Sequence, residues 1–198
     1  ELEFLAYNKE EGKIIPQRQY IEQIIIQDNL DNLNENTKWD VSSEKDGSIW
    51  AWYNEDEVRT VTDETTNEEV NLYTVYIGSN VLMNANPDAS YLFSYIGYNS
   101  NCVATSTSNP LIENIELLNV GSVTNMEGMF QYFGHKTMSS LSLGTGFDTT
   151  NVTNMSNMFT NTGYTKLTTL NLGLLFNTAA VTDMTEMLGY CGQYMMTS

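Results

Sequence analysis

The chain has 198 residues, with 25 Asp+Glu against 8 Lys+Arg, a net charge of −17 and a pI near 4.1. So few basic side chains leave phosphate backbones and anionic membrane surfaces little to bind, which argues against nucleic acid and membrane as partners. The 41% apolar and 11% aromatic content is more than a disordered acidic chain carries, and no apolar run approaches the roughly 18 residues needed to span a bilayer.

Residue 1 is Glu, so the chain is expected to begin inside a longer precursor, and residues 1–19 read as an N-terminal extension or linker. Residues 20–90 read as a β-rich cap. Ile21, Ile24 and Ile26 have a strand-like spacing, and residues 39–53 and 70–78 are rich in Trp, Tyr, Val and Ile, with Asp46 and Gly47 as a hairpin turn. Between those strands, residues 54–69 hold seven acids and one arginine. They read as a solvated loop, with a weak calcium site as the functional option because clustered carboxylates suit a hard cation. No other cofactor is expected. Tyr91 is expected in the core, while the roles of Tyr95, Tyr98, Tyr132 and Phe133 stay open between core and contact surface. Cys102 and Cys191 are too few for a disulfide framework and read as buried hydrophobes.

From residue 91 onward the chain repeats itself. VTNMEGMF begins at Val123, VTNMSNMF at Val152 and VTDMTEML at Val181, a constant period of 29 residues. Gly134, Gly163 and Gly192 keep the same register, as do Leu141 with Leu170 and Phe147 with Phe176. Within each unit, Val123, Met126, Met129 and Phe130 fall on one side of a short helix, and Thr124 with Glu127 matches a capping box. Leu141 and Leu143, like Leu170 and Leu172, point to one face of a short strand. One helix and one strand cannot close a core alone, so the fold class is an α/β repeat. It is a short leucine-rich-repeat-like solenoid with one helix and one strand per 29-residue coil, running over residues 91–198 behind the β-rich N-terminal cap and incomplete at its C-terminal end. Ile112, Ile115 and Leu117 mark a shortened earlier repeat.

TKWDVSSEKDGSIWAWY, LYTVYIGSN, NANPDASYLF and the tandem VTNM units together resemble the BspA-like leucine-rich-repeat surface proteins. The resemblance implies a secreted or cell-surface protein used for adhesion or host-molecule binding, with no enzymatic activity. The residues themselves point the same way. The single histidine, His135, has Tyr164 and Gln193 as its repeat equivalents, and no catalytic nucleophile and base are set beside it by the pattern.

The expected ligand surface is the exposed side of the strands: Asn114 and Glu116, Ser140 and Ser142, Thr169 and Asn171. The expected partner is a protein or glycan on a host or neighbouring cell surface. The alternative is a structural or receptor-binding fibre-tip module of a larger assembly, such as a virus particle. Because the last coil is left half built, with Met195 and Met196 beginning the next strand, self-association through that end is expected as well.

Overall fold

The computed structural model describes residues 15–63, 66–98 and 111–195. Cys102, Met196 and most of the proposed N-terminal extension lie outside them. β1 (Ile21–Gln27) is central, and its Ile21, Ile24 and Ile26 are all buried, as their spacing predicts. β2 (Trp39–Asp40) and β3 (Trp50–Trp52) form an antiparallel pair, and Gly47 at φ +74° takes the left-handed turn conformation between them. Asp40 fixes this connection by accepting the Gly47 N–H at 2.8 Å through its carboxylate.

β4 (Arg59–Thr62) and β5 (Glu69–Gly78) are antiparallel, and the other half of β5 pairs with β3. β1 lies parallel to β5 on one side and parallel to β7 (Ile112–Glu113) on the other. The result is a mixed six-stranded sheet, β2-β3-β5-β1-β7, with β4 attached to β5. Two small parallel pairs complete the strands: β6 (Met83–Asn84) with β8 (Leu118–Asn119), and β9 (Ser140–Ser142) with β10 (Thr169–Asn171). A single buried cluster runs from Ile21 through Phe93 and Phe130 to Met187, so sheet and repeats share one apolar interior.

The helix expected in each unit is absent. Among the described residues there is no α-helix, only three short 3-10 segments, Arg18–Tyr20, Glu55–Glu57 and Ile115–Leu117. The one-helix-per-coil, leucine-rich-repeat-like solenoid is therefore replaced by a fold of strands, mixed sheets and turns.

The reason lies in where the amide protons go. An α-helix uses each N–H four residues back. Here the donors alternate. Met129, Gln131 and Phe133 donate three residues back, to Met126, Gly128 and Phe130, while Met126, Gly128, Phe130 and Tyr132 donate to carbonyls of Asn154, Ser156, Met158 and Thr160 at 2.8–2.9 Å. Left-handed residues enforce the alternation. Gly128 and Tyr132 have φ +56° and +58°, repeated at Asn157 and Asn161 and again at Glu186 and Tyr190. The apolar spacing that resembles a helix face survives, because Met126, Met129 and Phe130 are buried.

Thr124, expected in a capping box, has repeat equivalents that serve a different purpose. Thr153 and Thr182 donate their hydroxyls at 3.1 Å to the carbonyls of Thr124 and Thr153, one unit earlier. Asn125, Asn154 and Asp183 accept the N–H two residues on, closing small side-chain turns, and bridge one another in parallel from unit to unit. The bridge begins at Asp88, so residues 88–98 occupy the same place before the first sequence-evident unit. Phe93, Phe130 and Phe159 stack through the interior, with centroids 5.4 and 5.5 Å apart.

Candidate functional site

The ladder that holds the units also fixes the expected ligand surface. β9 and β10 pair in parallel with Thr169 opposite Ser140 and Asn171 opposite Ser142, and all four side chains are exposed. Alternation along the strands puts Leu141 inward and the hydroxyls outward.

Asn114 and Glu116 sit on the neighbouring segment. That segment does not continue as a strand. Asn114 takes the left-handed conformation at φ 57° and donates its side-chain amide to the Ile26 carbonyl at 3.0 Å, turning the chain into the short 3-10 segment. β7 and β9 consequently do not pair, and a groove of ≈ 360 Å³ opens between them. Asn114, Glu116, Ser140 and Ser142 all line it, over the buried Ile112, Ile115 and Leu141. Thr169 and Asn171 do not reach the groove and continue the polar surface on its β10 side.

Two lining residues were not expected. Glu113 brings a second carboxylate and accepts a 2.7 Å hydrogen bond from the Gln23 side chain. Gly144, at φ +72°, brings the backbone close to Glu116, where an added Cβ would stand 3.1 Å from the Glu116 carboxylate. Gly144 and Gly173, which follow β9 and β10, keep the register of the repeat, but nothing in the periodicity announces that Glu116 lies across Gly144. With two carboxylates, an amide, two hydroxyls and no basic side chain in its lining, the groove is built to accept hydrogen bonds and positive charge.

A second surface consists of rings. Tyr95 stacks on Tyr132 with centroids 4.8 Å apart, His135 on Tyr164 at 4.9 Å and 7°, and Tyr194 meets Tyr164 edge-on at 5.2 Å. Tyr98 lies against both Tyr132 and His135. Tyr91, expected in the core, is 41% exposed; it covers Gly128 and donates its hydroxyl to Glu127 at 2.7 Å. Phe133 is the core member of its pair, and Tyr132 stays at the surface row.

His135 is buried within this row. Its Nδ1 is 3.0 Å from the Asn161 carbonyl, which can only accept, so that nitrogen carries a proton. Desolvation holds its pKa below the ordinary imidazole value, outweighing the carbonyl contact. Cys191 is half-buried and a free thiol, and burial pushes its pKa up to about 11, so it is a poor nucleophile.

The acidic segment is partly engaged already. Glu57 accepts the Tyr76 hydroxyl at 2.8 Å, and Asp63 is buried and accepts the Thr66 N–H at 3.3 Å. Among the described residues no three His, Cys, Asp or Glu side chains converge as metal ligands would. No helix among the described residues is long and apolar enough to cross a membrane.

No curated protein and no solved structure matches the chain. Residues 100–196, which carry the repeats and the β9–β10 half of the polar surface, match the family described as Mycoplasma protein of unknown function, DUF285.

Proposed function

We propose that the chain is a non-enzymatic, extracellular recognition module, a surface protein of the BspA-like kind. In this reading it binds a basic patch on a protein of a host or neighbouring cell through the groove between β7 and β9. The observation that carries this reading is the convergence of Asn114, Glu116, Ser140 and Ser142, with Glu113, on one open groove without a compensating base. The match of the repeats to a family supports kinship with other repeat-bearing proteins and leaves the ligand to be decided by chemistry. A net charge of −17 favours association with cationic surfaces and speeds encounter at low salt.

The test is retention of fluorescently labelled protein on host-type cells. Binding is expected to fall as salt is raised, to vanish after protease treatment of the cells, and to drop sharply in Ser140→Lys/Ser142→Lys, whose side chains are exposed and tolerate the change. Binding that survives both substitutions overturns the groove as the site. Binding abolished by glycosidases and untouched by protease assigns the ligand to a glycan.

A further inference from the structure

The two strands that flank the groove each leave one side unpaired. Ile24 donates to the Leu111 carbonyl at 2.8 Å, so the main-chain groups of Glu113 turn towards β1 and those of Ile112 turn the other way, into the groove. Across the gap, Leu143 donates to the Asn171 carbonyl at 2.9 Å, which sets the alternation of β9. Leu141 and Leu143 face β10, while Ser140 and Ser142 turn their N–H and C=O groups towards β7. Among the described residues, none of the main-chain groups of Ile112, Ser140 and Ser142 has a hydrogen-bond partner. Ile112 is only 4% exposed, so leaving its groups unpaired carries a desolvation cost that a ligand can relieve.

We infer that the groove takes an extended segment of its partner as an added strand between β7 and β9, with a small apolar side chain turned inward and Lys or Arg on either side of it turned outward. The inference rests on the groove as the binding site and names the form of the ligand. Both walls offer donors and acceptors at the strand period, which a main chain satisfies and a cluster of side chains on a folded surface does not. The floor of Ile112, Ile115 and Leu141 is apolar and buried, and Glu113 and Glu116 stand beside it with no basic side chain in the lining. A strand whose side chains alternate between apolar and basic matches both features at once.

The chain does not carry such a segment in its own sequence. None of its 8 basic residues stands two positions from another, the nearest pair being Lys9 and Lys13, and residues 99–110 contain no Lys or Arg. The ligand strand is thus assigned to a different protein and not to a second copy.

The test uses isotopically labelled full chain and the blocked peptide Lys-Val-Lys-Val-Lys at millimolar concentration. The amide protons of Ile112, Ser140 and Ser142 are expected to move downfield and to show nuclear Overhauser contacts to the peptide main chain, while those of Leu141 and Leu143, already paired or facing β10, stay in place. The same peptide methylated on every internal amide nitrogen keeps its charge but cannot pair, and is expected to bind at least about tenfold more weakly. Equal binding of the methylated peptide, or shifts confined to the Glu113 and Glu116 side chains, overturns the added strand and leaves the groove as a site read by charge alone. Equal binding of Glu-Val-Glu-Val-Glu overturns the basic requirement. A peptide that moves none of these resonances overturns the inference, and the groove itself then stands or falls separately on whether Ser140→Lys/Ser142→Lys loses cell binding.

Discussion

Phe159→Ala is the most informative perturbation of the interior. The ring is fully buried and stacks on Phe130 at 5.5 Å and 4°, and Phe130 in turn stacks on Phe93. Removing it leaves a hole between two units that their backbone ladder prevents from collapsing, because the residue 159 N–H still donates to the Met187 carbonyl in the alanine variant. Both the lost transfer energy and the cavity therefore count, and the expected cost is about 3–5 kcal/mol. For a chain of this size that corresponds to a fall in melting temperature of about 6–20 °C. Leu188 occupies the same position one unit later but is 54% exposed, so Leu188→Ala is expected to cost about 1 kcal/mol. Thr168→Ala, which removes only an exposed hydroxyl bond to the Ser139 carbonyl, should also stay within about 1 kcal/mol. Equilibrium urea denaturation of the three variants measures the differences. Equal costs for Phe159→Ala and Leu188→Ala would refute the assignment of residue 159 to the interior of a continuing stack.

Gly128→Ala places a Cβ 2.4 Å from the Tyr91 ring at φ +56°, and is expected to cost about 1–3 kcal/mol. It should also release the Tyr91 phenol, which the Glu127 hydrogen bond holds above its usual pKa, so that its titration moves back towards that of free tyrosine. His135 has a lowered pKa in the folded chain, so the unfolded chain binds the proton more readily. Its stabilising contribution is complete above the ordinary value of 6.5 and is lost as pH falls below it, and comparing the stability of the wild type and His135→Tyr at pH 7.5 and 5.5 should show a smaller acid loss in the variant. Calcium is expected to leave the melting temperature unchanged. A site held at 100 times its dissociation constant would add about 2.7 kcal/mol, and a shift that disappears in Asp56→Asn/Asp63→Asn would establish one.

Much of the organisation was legible because a repeat places equivalent residues against each other. The 29-residue offset that aligns His135 with Tyr164 on paper also stacks their rings, and the spacing of Ile21, Ile24 and Ile26 marked β1. The helix expected from the sequence does not form because an i, i+3, i+7 apolar pattern fixes which side chains face inward without fixing where the amides donate. Gly128, Asn157 and Asn161, residue types that tolerate left-handed backbone, were the available warning. The turn segment at residues 88–98 is hard to read from the sequence because its spacing from the next unit departs from the 29-residue period and Ala89 stands where the later units have methionine, although Phe93 aligns with Phe130 and Gly97 with Gly134. At the candidate site, strand alternation was enough to place Ser140, Ser142, Thr169 and Asn171 outward. The groove was not readable, since it depends on the left-handed turn at Asn114 breaking the strand that the Ile112, Ile115 and Leu117 spacing suggested.

The unit-to-unit ladder holds the repeats and the ring row at their spacing, and through-hydrogen-bond NMR couplings read it directly. The Phe130 amide nitrogen should couple to the Met158 carbonyl carbon, and that of Phe159 to the Met187 carbonyl carbon. Coupling of Phe130 to the Met126 carbonyl instead, the pairing of an α-helix, would contradict the fold and everything built on it.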